Sequence, residues 1–354
     1  MHIRNLLRYW RCFGVAIVII IILNLQSQEF QYQYSLACYS AKGNTLPDIS
    51  EVPPRKGKSI FFHETSCKSL QKGKITITSR QACAVESAAI MNPNLDVYLL
   101  YTSPGIVKNE GDESDLFLSA LLSYKNVKIL HLNYERYINN TPVGNLWKYN
   151  KIQNSRYSLS HASDILRYVT LWKYGGIYLD LDVVILKSLE DLPANFAGLQ
   201  SLTDVAAGVM GFAASGKGHE MAERCLLDLQ KNFDGDSWGN NGPGVITRLL
   251  LDLCGITNRT KDTNLSELMV DKDCGGFTVF TPTAFYPISY QTWYWYFDEY
   301  KLQSMILNTK DSYAIHTWNK FSANTKVLLN SGMPYFYYAK KYCPKVVAES
   351  TRTF

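Results

Sequence analysis

The chain has 354 residues, 46% of them apolar and 19% charged, enough for one large folded domain with an appendage and too apolar for a disordered protein. Its net charge of +5 is small for this length, and basic residues cluster only at 55–58 (RKGK) and 72–74 (KGK). This is an ordinary solvated surface without the basic stripe of a nucleic-acid-binding protein.

In chain order, Arg4, Arg8 and Arg11 precede seventeen uncharged residues, CFGVAIVIIIILNLQSQ, from Cys12 to Gln28. A helix of that length reaches about 26 Å, which suits a thin, early-secretory bilayer. A cleaved signal peptide has a similar apolar core, but no small-x-small cleavage site follows. Positive charge before the span places a tail of residues 1–11 in the cytosol. Residues 12–28 are therefore expected as a type II anchor, with the rest of the chain lumenal. Residues 29–58 are polar, contain Pro and Gly, and read as a stem.

Strands are then expected at 59–66, 96–103, 127–132 and 177–186, and helices at 79–91 (N-cap Ser79), 113–124 and 161–174. This alternation predicts an α/β fold, mostly a parallel sheet with helices on both faces and ligands at the carboxyl ends of its strands. In the helix SDILRYVTLWKYGG, Ile165, Tyr168, Val169 and Trp172 form the inward face. Ser163 caps its start, and Gly175 and Gly176 stop it. Asp164 and Arg167, i and i+3 in its first turn, are either a surface ion pair or a pair facing a ligand.

The next stretch, YGGIYLDLDVVIL (174–186), sets two aspartates among aliphatic residues. Strand alternation would put Tyr178, Asp180 and Asp182 on one face, with the aspartate Cα atoms about 7 Å apart. An ionised carboxylate there costs several kcal/mol unless something compensates it. A divalent cation of the magnesium or manganese kind would do so. D-x-D recurs at 234–236 and 271–273, but in polar, Gly-rich surroundings that read as loops. The string DLDVV also fits the nucleophile loop of haloacid-dehalogenase-type phosphatases, yet the G-D-x-x-x-D pair that class needs is missing after residue 186.

Of eight cysteines, Cys12 belongs to the expected anchor. The other seven contain no CxxC, so disulfides in an oxidising lumen fit better than zinc. Cys254–Cys274 and Cys67–Cys83 are the expected local pairs. Seven is odd, so one thiol is free or joins two chains of a homodimer. Sequons at Asn139, Asn258 and Asn264 agree with a glycosylated lumenal protein.

The stretch SDILRYVTLWKYGGIYLDLD resembles the sugar-nucleotide core of glycosyltransferase family 32. IFFHETS, ACAVESAA, WGNNGPGVITRLL, AFYPISYQTW, YAIHTWNK and KYCP extend the resemblance, in order, from about residue 60 to 344, and the full chain looks like the α1,4-glycosyltransferase branch. The resemblance implies a GT-A-type, Rossmann-like nucleotide-sugar fold and a retaining transfer of Gal or GalNAc from UDP-Gal or UDP-GalNAc to a terminal β-linked sugar. The expected acceptor is a glycosphingolipid at the Golgi membrane. Residues 59–200 would be the D-x-D nucleotide-sugar region, and 201–349 the acceptor and C-terminal region of the same catalytic domain.

By the same resemblance Mn²⁺ sits on Asp180, Asp182 and His316, with Asp182 the first choice for direct ligation. Asp164, Arg167 and Tyr178 lie at the donor. Phe61, His63 and Thr65 lie near the end of the first strand, where the uracil is expected. Asn240 and Asn241 reach the anomeric carbon, Lys320 neutralises phosphate, and Trp318 offers a flat face to a sugar. The chain departs from its relatives at Asn241 (a usual glutamine), His63 (leucine), Leu181 (threonine) and Ala207 (asparagine). These departures leave open α1,4-GlcNAc transfer to glycoprotein O-glycans, or a lectin-like protein that binds UDP without turnover.

Overall fold

The structure, a computed structural model, describes residues 36–43, 45–260 and 262–354. The expected tail and anchor lie outside them. No helix among the described residues is long and apolar enough to cross a membrane.

Strands β1 (Ser59–Glu64), β2 (Asp96–Tyr101) and β3 (Val127–His131) alternate with helices α1 (Ser79–Met91) and α2 (Glu113–Leu122). Helix α3 (Ser158–Tyr174) leads into β4 (Gly176–Leu179), and β5 (Val183–Ile185), β6 (Phe196–Leu199) and β7 (Val205–Phe212) follow. Helices α4 (Gly216–Asn232) and α5 (Pro243–Leu253) precede β8 (Thr278–Phe280) and β9 (Ala314–His316), and α6 (Pro334–Tyr342) and α7 (Pro344–Ala348) come last. Several local expectations shift. The α1 cap is Thr78, which forms a capping box with Gln81, so Ser79 is already inside the helix. Helix α3 starts at Ser158 with no side-chain cap, so Ser163 caps nothing and Asp164 and Arg167 lie beyond the first turn. Pro243 opens α5 at its first turn, as read from the sequence.

The sheet order is β3-β2-β1-β4-β7-β6-β8. The α/β class is as expected, but the sheet is mixed. β1 to β4 run parallel, while β7 is antiparallel to both β4 and β6. The short link from Leu199 to Val205 explains this, because parallel neighbours need a long crossover. Both sheet faces are packed. Ile60, Phe62 and Leu99 meet α1 through Ala82, Val85 and Ala89. Phe61, Tyr98 and Leu100 join Ile165, Leu166 and Val169 of α3 on the other face.

The expected strand 177–186 breaks in the middle. β4 ends at Leu179, and a turn closes with Val183 N donating to Asp180 O at 3.1 Å. β5 then leaves the main sheet and pairs antiparallel with β9, Val183 opposite His316. The two aspartates therefore sit on a turn at the sheet's carboxyl edge, and strand alternation does not orient them.

Residues 36–43 and 45–58, expected as part of a stem, pack onto the domain instead. Tyr39 is buried, lies against Tyr134 and donates to Thr65 O at 2.7 Å, while Ile49 N donates to His131 O at 2.9 Å. Cys38–Cys67 fastens the segment, so Cys67 does not pair with Cys83. Cys83 on α1 pairs with Cys343 across a sequence separation of 260, because α6 ends against α1. Cys254–Cys274 forms as expected. Cys225 is free but buried, so as folded it offers no thiol for joining two chains. Removing Cys83–Cys343 by double serine substitution is expected to lower stability by about 2–5 kcal/mol, given the length of chain it closes. Denaturant unfolding of the variant checks this.

Candidate active site

The turn Asp180–Asp182, the end of β1, one side of α3 and the segment after β9 surround a cavity of about 590 Å³. Asp180 N donates to Gly208 O at 2.9 Å, and its Oδ1 accepts from Tyr178 OH at 2.7 Å. Asp182 Oδ2 accepts from Asn319 N at 2.7 Å, and its carbonyl accepts from Thr317 N at 2.9 Å. One oxygen of each carboxylate is thus held by the protein, and the other faces His316. Nε2 of His316 lies 3.3 Å from Asp182 Oδ1 and 3.8 Å from Asp180 Oδ2. Ligand atoms of the three residues all fall within 4.8 Å of one another. His316 Nδ1 is buried without a hydrogen-bond partner.

Two carboxylate oxygens and an imidazole nitrogen suit a manganese- or magnesium-type cation, and the supporting bonds orient them as second partners orient metal ligands. Gly208 makes room, since a Cβ there would lie 2.7 Å from Asp180 Oδ2. Charge is balanced locally. Burial pushes the Asp180 carboxyl up, but Arg167, His316 and Tyr178 outweigh it and bring it down to about 2. Burial pushes His316 down, but Asp182 and Asp180 outweigh it and raise the imidazole to about 9.

Arg167 is the hub behind the turn. Nη1 donates to Ala207 O at 2.9 Å, and Nη2 lies 3.1 Å from Asp164 Oδ1 and 3.5 Å from Asp180 Oδ1. Its guanidinium also sits 5.0 Å from the Tyr178 ring centroid. Asp164 and Arg167 are buried and line the cavity, so the surface-ion-pair reading is set aside. Burial raises the Asp164 carboxyl to about 6, opposed by Arg167 and aided by Asp180.

Thr65, Asp164, Arg167, Asp180, Asp182, His316, Trp318 and Lys320 are brought to one cavity. Tyr178 is buried and acts through Asp180. Other expected residues do not reach the cavity. Phe61 is packed under Tyr98 and Tyr174. His63 lies against Tyr178, with Nε2 3.1 Å from Thr170 Oγ1. Both are inside β1 and face α3, whereas Thr65 lies past the strand end and is free of it. Asn240 Oδ1 accepts from Arg248 at 3.0 Å, and its amide donates to Asn232 O. Asn241 is fully buried, with its side chain closed onto the backbone N and O of Asp234 at 3.0 and 2.7 Å. These two asparagines hold their loop together. Trp318 reaches the cavity from a left-handed backbone position (φ 55°) after β9 ends, and not through strand alternation, with Nε1 donating to Ile288 O.

Sequence reasoning missed Gly208, the Asn319 amide and Trp238. Backbone roles leave no residue-type signal, whereas Trp238 stood in view within SWGNNGPG.

His63 carries a pH prediction. Burial, and then the nearby Arg167 charge, push it down to about 3. It is neutral when folded and takes a proton near pH 6.5 when unfolded, so stability is lost as pH falls below 6.5. The loss amounts to about 2 kcal/mol at pH 5 for the shift described. His63→Leu is expected to flatten this slope in unfolding measured from pH 7.5 to 5.

An anionic turn that calls for a cation, beside a cavity with one polar and one aromatic wall, is suited to a sugar carried on a diphosphate. The class this defines is a sugar-nucleotide transferase. Residues 78–197 match the family model for the glycosyltransferase sugar-binding region containing the DXD motif, and residues 214–350 match the alpha 1,4-glycosyltransferase conserved region. Human lactosylceramide 4-alpha-galactosyltransferase is 31% identical over 297 residues, covering 83% of this chain and 78% of that protein. The Mus musculus enzyme of the same name is 31% identical over 287 residues, covering 81% and 74%. Human alpha-1,4-N-acetylglucosaminyltransferase is 29% identical over 273 residues, covering 75% and 74%. The chain belongs to the alpha 1,4-glycosyltransferase family and is an enzyme of that family. Among solved structures, the galactosyltransferase LgtC, in complex with donor and acceptor sugar analogs, is 14% identical, covering 83% of this chain and 96% of that one, with a TM-score of 0.33.

Proposed function

We propose that this enzyme transfers Gal or GalNAc from its UDP-sugar, in α1,4 linkage and with retention, to a terminal β-linked sugar of a glycosphingolipid. The observation that carries the reading is the convergence of Asp180 Oδ2, Asp182 Oδ1 and His316 Nε2 at one end of the cavity. These three residues would hold Mn²⁺, which when bound acts as a Lewis acid on the departing diphosphate. Arg167 keeps Asp180 ionised and in place. The mixed α/β sheet with the motif at its edge supports a GT-A-type scaffold. No covalent nucleophile is assigned. The acceptor hydroxyl attacks the anomeric carbon from the face the leaving group departs, and its proton passes to the leaving phosphate oxygen. A trapped glycosyl–enzyme adduct would overturn this step.

Similarity to the lactosylceramide 4-alpha-galactosyltransferases supports Gal as donor sugar. The N-acetylglucosaminyltransferase relative supports a second reading, α1,4-GlcNAc transfer. Three disulfides support an oxidising compartment. With the anchor expected at 12–28, the proposal is a single-pass type II Golgi membrane protein with a lumenal catalytic domain, divided at about residue 200 into nucleotide-sugar and acceptor regions.

The test is UDP release by the detergent-solubilised full chain with manganese, across UDP-Gal, UDP-GalNAc, UDP-GlcNAc and UDP-Glc, with and without β-galactoside and β-GalNAc acceptors. Acceptor-stimulated release is expected with UDP-Gal or UDP-GalNAc. Preference for UDP-GlcNAc would select the second reading, and silence with every donor would contradict both.

A further inference from the structure

Transfer needs a second substrate, and one wall of the cavity differs in kind from the rest. The side formed by Thr65, Ser163, Asp164 and Arg167 is polar, and it adjoins the two aspartates. The other side is aromatic and comes from three segments distant in sequence. Trp238 lies in the loop before α5, Tyr290 starts the 3₁₀ stretch Tyr290–Phe297, and Trp318, Lys320 and Phe321 follow β9.

The rings form a continuous surface. Tyr290 and Phe321 are nearly parallel, with centroids 6.2 Å apart at 21°, and Tyr290 meets Trp318 edge-on at 6.0 Å. Trp318 in turn touches His316 at 4.2 Å, so the wall runs from the carboxylate–histidine cluster outward. Lys320 Nζ stands 3.3 Å from the Trp238 ring centroid and 5.9 Å from that of Phe321, placing one ammonium between the two rings. Core packing accounts for the buried Trp318, whose Nε1 is bonded to Ile288 O. It does not account for the rim, where Trp238, Tyr290 and Phe321 remain 42%, 40% and 46% exposed. Large aromatic rings gathered at a cavity mouth and left open to water mark a binding surface.

A pyranose has an apolar C–H face and a rim of hydroxyls. The flat rings suit the first, and the Lys320 ammonium beside them suits the second. A nucleoside diphosphate needs a metal cation and polar groups, which the carboxylate–histidine cluster and the α3 side chains offer. We infer that Trp238, Tyr290 and Phe321, with Lys320 between two of them, form the acceptor platform. It receives the non-reducing terminal sugar of a glycan, ring face against the aromatics and hydroxyls toward Lys320, beside the carboxylate–histidine cluster. This inference rests on the transferase reading above.

The test uses the detergent-solubilised full chain and two acceptors with one headgroup, a soluble alkyl β-lactoside and the same disaccharide on a lipid in phosphatidylcholine vesicles. Trp238→Ala, Tyr290→Ala and Phe321→Ala are each expected to raise the KM for both acceptors about tenfold. The donor KM and UDP–manganese binding are expected to change less than twofold. Trp238→Phe keeps a flat ring and is expected to restore most of the affinity, which also covers the case of an alanine variant that fails to fold. A raised donor KM with an unchanged acceptor KM would overturn the platform. So would loss confined to the vesicle acceptor, which would make the rings a membrane contact. A wild-type chain that turns over no donor would overturn the transferase reading itself, whereas failure of the platform alone leaves wild-type transfer intact.

Discussion

Asp182→Ala is expected to cut transfer roughly 10³-fold or more while the protein stays folded. Asp182 has two tasks on opposite oxygens. Oδ1 faces His316 Nε2 at 3.3 Å, and Oδ2 accepts from Asn319 N at 2.7 Å. Alanine removes both, so on the proposed reading the loss combines a missing cation ligand with a loosened 317–321 segment. Asp182→Asn separates them, because its amide oxygen still accepts from Asn319 N while the negative charge is gone. If the charge dominates, the asparagine variant is nearly as inactive as the alanine variant and binds manganese far more weakly than wild type. If loop positioning dominates, asparagine recovers most of the activity. The first outcome is expected, since even a hydrogen bond to a charged group is worth only about 1.5–3 kcal/mol, less than the roughly 4 kcal/mol that a 10³-fold loss represents. UDP release and manganese titration of both variants decide between them.

Arg167→Ala is expected to destabilise the fold by about 3–5 kcal/mol, the usual cost of leaving a buried charge unpaired. Arg167 is a buried cation shared by Asp164 and Asp180, and its Nη1 also satisfies the Ala207 carbonyl. Its removal strands two carboxylates close together with no cation between them. Lysine keeps the charge but not the planar fork that reaches three oxygens at once, so Arg167→Lys is expected to recover only part of the stability. Asp164→Asn in the Arg167→Ala background removes one of the stranded charges and should restore part of the loss. Urea unfolding of the single and double variants measures the coupling, which is non-additive if the three groups act as one network.

The fold was legible where chemistry is local. Strands β1 to β3 with their intervening helices, Pro243 at the start of α5 and the loop character of both other D-x-D triplets were readable in residue pattern alone. The aspartates stood out because charge in an aliphatic stretch demands a reason. Their actual arrangement was not readable, since it depends on a turn that ends β4 early and on β9 pairing with β5 from about 130 residues away. His316 had no signal of its own without the family resemblance, because a histidine on a strand is ordinarily structural. Asn241 and Asn240 share a loop with Trp238, yet only the tryptophan lines the cavity. Residue type cannot say which of three neighbours turns inward. Of the two expected disulfides Cys254–Cys274 forms, and the other failed for the same reason: sequence proximity suggested Cys67–Cys83, whereas packing of α6 on α1 joins Cys83 to Cys343.

On the proposed reading, Asp180, Asp182 and His316 hold a divalent cation that carries the donor diphosphate. Calorimetric titration of UDP into the detergent-solubilised full chain, with manganese and then with a chelator, tests it most directly. UDP should bind with manganese and lose at least tenfold in affinity with chelator, and His316→Ala should bind about as weakly in either condition. Equal UDP affinity with and without the cation in the wild-type chain would mean that no cation carries the diphosphate there.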